Sequence, residues 1–327
     1  MYETEQDIQK QVELAKQGKF WTQEFYNNAY YKVKHKYPIV VPSYNNPNNH
    51  ITKNFINKFT EDYNWPVYMI IRKSQEEEYL KYNDKKYLIA IPDEEIDNIV
   101  KVRNKILDLF DEQIFVFDDD IRSFTYSIAA TYANDSSKYR SKSLRVSEVK
   151  PLYIIAMWQL MHEIALEHNI SISTLVNTGF GFNIRHTDVD KSLDIYSGLC
   201  SQVVCLNVPL LKQHNIRYRD TGGHEDFDIQ FLCLEQQLPT VIFNFISYAA
   251  SPMKPSFNGQ NTLKERFAIQ ANAMKQDWGD IDWVVFRTTH KGLDNVGVNW
   301  NIYRKKYGVG QKLNGYEKLK NSKLWLD

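Results

Sequence analysis

Three carboxylates in a row, Asp118, Asp119 and Asp120, follow the apolar run QIFVF and precede Ile121. Along an extended chain alternate residues face the same way, so Asp118 and Asp120 converge while Asp119 points elsewhere, unless the strand has already turned. Two bare carboxylates about 4 Å apart repel by roughly 4 kcal/mol at the effective dielectric of a protein site, and a divalent cation reverses that penalty. Oxygen-only ligands suit Mg2+ or Mn2+, ions that complete their shells with water and substrate phosphates. A solvated turn is the plain alternative, because Asp is common at strand ends and caps the amides that follow. Apolar sequence on both sides of the triplet favours the metal.

A second group is GGHEDFD, residues 222–228. Gly222 and Gly223 let the backbone pass close to a ligand, and Glu225 or Asp226 at a helix start can serve as a general base. Acids in a first helical turn are also favoured by the helix dipole alone. His224 is open between a third metal ligand and an ordinary polar contact.

These residues need elements to hold them, and the pattern from residue 37 onward supplies an alternation. YPIVVPSYN, WPVYMIIRKS, KYLIAIPD and QIFVFDDD are short apolar runs ending in polar residues, the signature of buried strands. Between them, ITKNFINKFTED, QEEEYLKYN and EEIDNIVKVRNKILDLF have helical spacing, the last strongly amphipathic. Strands alternating with helices predict an α/β fold with a mixed, mostly parallel sheet flanked by helices. In such sheets ligands are met at the carboxyl ends of strands, here Ser43, Tyr44 and Asn45, then Arg72 and Lys73, then Asp93, then the aspartates. Further on, PLYIIAMWQLMHEIALEHN predicts a helix, STLVNTGFGFNIRH a Gly-rich strand region, SQVVCLNVPLL and LPTVIFNFISYAAS strands, and the sequence after Gly223 a helix.

The 327 residues are 43% apolar and 14% aromatic, enough for a substantial core. Lys plus Arg equals Asp plus Glu at 40 each, so an anionic partner must be met by a local patch. Two such patches exist: Lys138, Arg140, Lys142, Arg145 and Lys150 in a polar break, and a Lys-rich tail from residue 300 with Arg304, Lys305 and Lys306 together. Scattered lysines on a solvated face are ordinary, and tracking phosphate requires them on the side of the cleft. Cys200, Cys205 and Cys233 lack CxxC spacing and have apolar neighbours, which predicts buried free thiols and a reducing cytoplasm. The N-terminus is polar and acidic where a signal peptide needs a basic start, and no segment approaches about 18 uninterrupted apolar residues. A soluble cytoplasmic protein is expected. His162 and His168, six apart on a helix, read as incidental, and Trp21, Tyr30, Tyr31 and Trp65 read as core.

Taken in order, PIVVPSYN, VYMIIRKS, LIAIPD, IVKVRNKIL, IFVFDDDI and GGHEDFD resemble the GT-A nucleotide-sugar glycosyltransferases. More narrowly they resemble the TET/JBP-associated (base J type) glycosyltransferase group of phages and kinetoplastids, linked to adding sugar to hydroxymethylated pyrimidines in DNA. The resemblance covers residues 37 to about 252 and implies a GT-A domain there, with an N-terminal helical extension over 1–36 and a C-terminal basic, helical extension over 253–327. It implies that Pro42, Ser43 and Tyr44 line the nucleotide pocket, that Arg72 approaches the nucleotide or its phosphates, and that Asp93 bonds a uracil-like base. Arg103 and Asn104 would face the donor sugar. Asp118, Asp119 and Asp120 would hold ribose and metal, with Asp120 the first expectation for the metal and Asp118 the second. Asp226, or else Glu225, would deprotonate the acceptor.

The implied activity is an inverting transfer dependent on Mn2+ or Mg2+, from a UDP-sugar, with UDP-glucose the first expectation, to hydroxymethyluracil or hydroxymethylcytosine in DNA. Phage DNA hypermodification, in the host cytoplasm, is the implied setting. Two alternatives stay open on the residues: the same fold and donor with a glycan, teichoic-acid-like polymer or protein as acceptor, and a non-catalytic nucleotide- or DNA-binding module.

Overall fold

A computed structural model describes residues 35–49, 64–126, 144–145, 158, 161–177, 194–250, 263–289, 292–307 and 313–314. The N-terminal extension apart from His35 and Lys36, the helix expected over 51–62, the basic stretch apart from Arg145, and most of the Lys-rich tail lie outside these residues.

The apolar runs become strands because both of their faces are covered. β1 (Ile39–Pro42) and β4 (Gln113–Phe117) are buried at every position, as expected for parallel strands between helical layers. β1 pairs in parallel with β2 (Val67–Arg72) on one edge and with β4 on the other. β2 pairs in parallel with β3 (Leu88–Ile91). Between them lie α1 (Glu76–Leu80) and α2 (Ile99–Leu109), the latter capped by the Asn98 side chain accepting from Lys101 N at 2.9 Å. The strand order is therefore 3-2-1-4, and it reverses between β1 and β4. That reversal opens a crevice at the carboxyl ends of two adjacent strands.

Beyond β4 the sheet becomes mixed. β9 (Val203–Asn207) runs antiparallel to both β4 and β7 (Ile172–Asn177). Next comes β10 (Thr240–Ala250), parallel to β7. The first half of β10 pairs with β8 (Asp194–Ser197) and the second half with β5 (Ile121–Tyr126). β6 (Leu144–Arg145) joins β5, and β13 (Leu313–Asn314) closes the far edge on β8, making eleven strands in all among the described residues. The strand read in SQVVCLNVPLL ends earlier than its apolar run. Asn207 caps a short helix, α3 (Val208–Gln213), with Pro at its start.

α4 (Glu225–Glu235) is packed on two sides. Ile229 and Cys233 join the core around Val40, Ile70, Ile106 and Val116. Phe231 and Leu234 join a second core with Met274, Trp278, Trp283 and Tyr303. A helix covered on both sides has no polar stripe. The second core comes from α5 (Leu263–Trp278), the hairpin β11 (Val284–Thr288) with β12 (Asp294–Val298), and α6 (Trp300–Tyr307). Helices were expected in this C-terminal segment; it also contains the β11–β12 sheet.

Cys200, Cys205 and Cys233 are buried free thiols, as expected. Trp65 is buried with its Nε1 on Tyr37 O at 2.9 Å. His162 is more than incidental: it is fully buried, stacked on Tyr37 at 4.1 Å and bonded through Nδ1 to Gln113 Oε1 at 2.6 Å. Among the described residues no helix is long and apolar enough to cross a membrane.

Candidate active site

Hydrogen bonds span the crevice between the carboxyl ends of β1 and β4. Ser43 Oγ donates to Asp119 Oδ2 at 2.7 Å. Tyr79 Oη lies 2.7 Å from Ser43 Oγ and accepts from Asn46 N at 3.2 Å, while Asn46 Nδ2 donates to Asp119 O at 3.2 Å. With the Ser43 proton committed to a carboxylate, Tyr79 must donate to Ser43, so the protons run one way from Asn46 N to Asp119.

β4 ends at Phe117 and the chain turns at once, so the three aspartates leave the strand in different directions. Asp119 turns to β1. Asp118 Oδ1 lies 3.5 Å from Arg103 Nη2 on α2. Asp120 has one oxygen, Oδ1, buried without a hydrogen-bond partner. Burial raises the pKa of Asp120, and the neighbouring Asp119 charge adds to this. Asp118 is pushed up to about 6, by burial first, with Asp120 and Glu225 raising it and Arg103 opposing.

Arg103 is the hub. It is buried at 6% exposure, and its Nε lies 3.3 Å from Glu225 Oε1 while Nη2 reaches Asp118. Burial alone would lower its pKa, but Asp118, Tyr218 and Glu225 together raise it, so it stays a cation. Its guanidinium lies 5.5 Å from the Tyr218 ring centroid. Asn104, the next residue, spends both amide functions on Tyr218, donating to its O at 2.9 Å and accepting from its N at 3.0 Å. α2 is thereby tied to the loop that leads into GGHEDFD.

In that loop, Gly222 and Gly223 have φ of 73° and 134°, left-handed conformations that a side chain would strain. His224 also has positive φ. Its ring stacks on Phe227 with centroids 5.2 Å apart and meets the edge of Phe267 at 6.0 Å. Burial lowers its pKa. Asp226 lies one residue past Glu225, with Oδ1 accepting from Phe227 N at 3.0 Å. Burial, then the Glu225 charge, pushes its pKa up to about 7, where a carboxylate is a competent base near neutral pH. Asp228 is a different kind of acid. It is fully buried and held by Arg219, with Nε–Oδ2 at 2.9 Å, and by Trp278 Nε1 at 2.8 Å.

Farther along the crevice, Tyr44 is 49% exposed with the Arg72 guanidinium 4.5 Å from its ring centroid. Arg72 also donates from Nε to Ile96 O at 3.3 Å. Pro42 ends β1 beneath Ser43. Asp93 accepts from Ser74 N at 3.0 Å and Ser74 Oγ at 2.5 Å, bonds that hold its carboxyl below the usual range.

The residues singled out from the sequence thus fall into two connected groups. Ser43 bonds Asp119, Arg103 joins Asp118 to Glu225, and the charges of Asp119 and Glu225 act on Asp120 and Asp226. Past β2, Arg72 stacks on Tyr44, and Asp93 is held by Ser74. Among the described residues no three His, Cys, Asp or Glu side chains are grouped to hold an ion by themselves, so His224 does not join the aspartates as a ligand set. The orphaned Asp120 oxygen and the crowded Asp118 nevertheless suit a hard cation whose remaining ligands come from phosphate and water. Tyr79 and Asn46 were missed. Tyr79 is the one apolar-faced residue in the charged run QEEEYLKYN before Leu80, which is a signal of burial but not of partnership.

The TET-associated glycosyltransferase family model matches residues 37–255. No curated protein matches the chain. Among solved structures, GalNAc-T7 with UDP, GalNAc and Mn2+ aligns with a TM-score of 0.43 and 10% identity, over 90% of this chain and 57% of that one.

Proposed function

Because the chain belongs to the TET-associated glycosyltransferase family, and so is a glycosyltransferase, we propose that it transfers a sugar from a UDP-sugar to a hydroxymethylated pyrimidine in DNA, with inversion and with Mn2+ or Mg2+. The observation that carries this reading is Arg103, one guanidinium that touches Asp118 at the strand end and Glu225 at the head of α4. It supports a single site in which the strand-end carboxylates and the acidic head of α4 act together.

In this reading Tyr44 and Arg72 offer a ring and a guanidinium face to the nucleotide, and Asp93 and Ser43 border it. Asp120, with Asp118, would hold the metal, which when bound neutralises charge gathering on the leaving diphosphate. Asp226 takes the proton from the acceptor hydroxyl as its oxygen bonds to the anomeric carbon and the bond to the diphosphate breaks. Arg103 keeps Asp118 and Glu225 paired, so that Asp226 is the carboxylate left to accept that proton. One displacement inverts the anomeric centre.

The test is to incubate the protein with Mn2+, a panel of UDP-sugars and DNA carrying hydroxymethyluracil or hydroxymethylcytosine, then to weigh the released nucleosides. A hexose mass gain, abolished by chelation, is expected. No gain on any DNA with any donor would sink the acceptor assignment, and transfer indifferent to chelator would sink the metal.

A further inference from the structure

The family match stops at residue 255, yet the helix that follows is built into the catalytic loop. A Cβ placed on Gly222 would lie 3.6 Å from Ala273 Cβ, and one on Gly223 only 2.4 Å from Gln270 Cγ. One step on, Phe267 sets its ring against His224 at 6.0 Å. The loop residues 222, 223 and 224 are thus met in turn by 273, 270 and 267 as α5 is followed toward its start.

Positions 266, 270 and 273 are spaced four and three apart and lie on one stripe of α5. Arg266 lies one turn before Gln270 on this stripe and next in sequence to Phe267, which meets His224. Its charge is close enough to disfavour protonation of the His224 ring, which burial already opposes. Arg266 is partly buried and has no ion pair among the described residues, while Glu225, the residue after His224, is engaged by Arg103. A guanidinium without an ion pair among the described residues, acting on His224 at the head of α4, leaves a local positive field on a chain whose net charge is zero.

We infer that Arg266 binds a phosphodiester of the acceptor strand next to the nucleotide that receives the sugar, so that acceptor recognition is supplied by the segment beyond the family domain. A nucleotide offered to an enzyme outside its stack brings its flanking phosphates to the rim of the site. A planar fork of donors suits them. This inference rests on the DNA-acceptor reading above.

The experiment compares wild type, R266Q and R266K in steady-state transfer to hydroxymethylated DNA across a salt series, with donor hydrolysis in the absence of DNA as the internal control. R266Q is expected to raise the KM for DNA about tenfold and to reduce the slope of log(kcat/KM) against log salt by about one, as for the loss of one phosphate contact. Its donor KM, donor hydrolysis and melting temperature should match wild type. R266K, which keeps the charge, should restore most of the slope. An R266Q enzyme with wild-type KM for DNA and wild-type slope overturns the inference and leaves the DNA reading intact. A wild type that glycosylates no DNA overturns the reading, and the phosphodiester assignment with it.

Discussion

Ser43 and Asp119 join the carboxyl ends of β1 and β4 by a 2.7 Å hydrogen bond, directly across the place where the strand order reverses. The bond fixes the width of the crevice, and Tyr79 behind Ser43 fixes its direction. Removing the Ser43 hydroxyl leaves a half-buried carboxylate short of one donor, which costs about 1–3 kcal/mol. S43A should therefore lose that much in urea unfolding and raise the KM for the donor. Y79F, which removes only the proton behind the relay, should lose less, about 1 kcal/mol.

Asp120 has a buried oxygen that nothing in the protein satisfies. D120N should bind Mn2+ at least about tenfold more weakly by titration calorimetry and lose on the order of a hundredfold or more in kcat. Without metal it should be no less stable than wild type, since it removes a desolvated charge. Full turnover in D120N would end the assignment of this residue to the metal.

Arg103 answers two acids at once, so its loss uncovers both. R103M should be destabilised by about 2–3 kcal/mol at pH 8, below the penalty for fully buried charge because Asp118 and Glu225 are partly exposed. Asp118, already raised to about 6, rises further without its cation and takes up a proton as pH falls. The deficit should shrink between pH 7 and pH 4, which denaturant unfolding at the two ends of that range would measure.

Asp226 titrates near 7, raised by burial and then by Glu225. A base must be deprotonated, so kcat/KM should fall on the acid side with an inflection near pH 7. The folded-state value lies above the unfolded one, so this group's contribution to stability is present in acid and is lost as pH rises through 7. D226N should accordingly be inactive yet more stable than wild type at pH 8, with the difference gone below pH 4. E225Q removes the adjacent like charge and should move the acid limb to lower pH. An unmoved limb would show that another group is the base.

Much of this was legible because parallel strands buried on both faces write themselves as unbroken apolar runs. IVVP, VYMIIR, LIAI and QIFVF are strands where expected, each followed at once, or after Pro92 in the third, by polar residues. What the residues alone left open was the division of labour among the aspartates. That depended on where β4 stops, and it turns immediately after Phe117, giving Asp119 to Ser43 and Asp118 to Arg103. Arg103 lies on an amphipathic helix whose pattern marks it as polar but not as buried against acids far along the chain. Asn104, expected to face the donor sugar, has both amide groups on the Tyr218 backbone. Arg266 and Phe267 carry no local signal, since their place is set by the packing of α5 against Gly222 and Gly223.

Trp278, on α5, donates to Asp228 on the underside of α4, and Tyr303 on α6 donates to Leu234 O at 2.8 Å. A chain cut where the family resemblance ends would strip one donor from a fully buried carboxylate and expose the aromatic core beneath the helix that carries Glu225 and Asp226. The stretch that inheritance keeps recognisable is thus shorter than the stretch that must fold together. Excising the recognisable part would yield an enzyme with its floor removed.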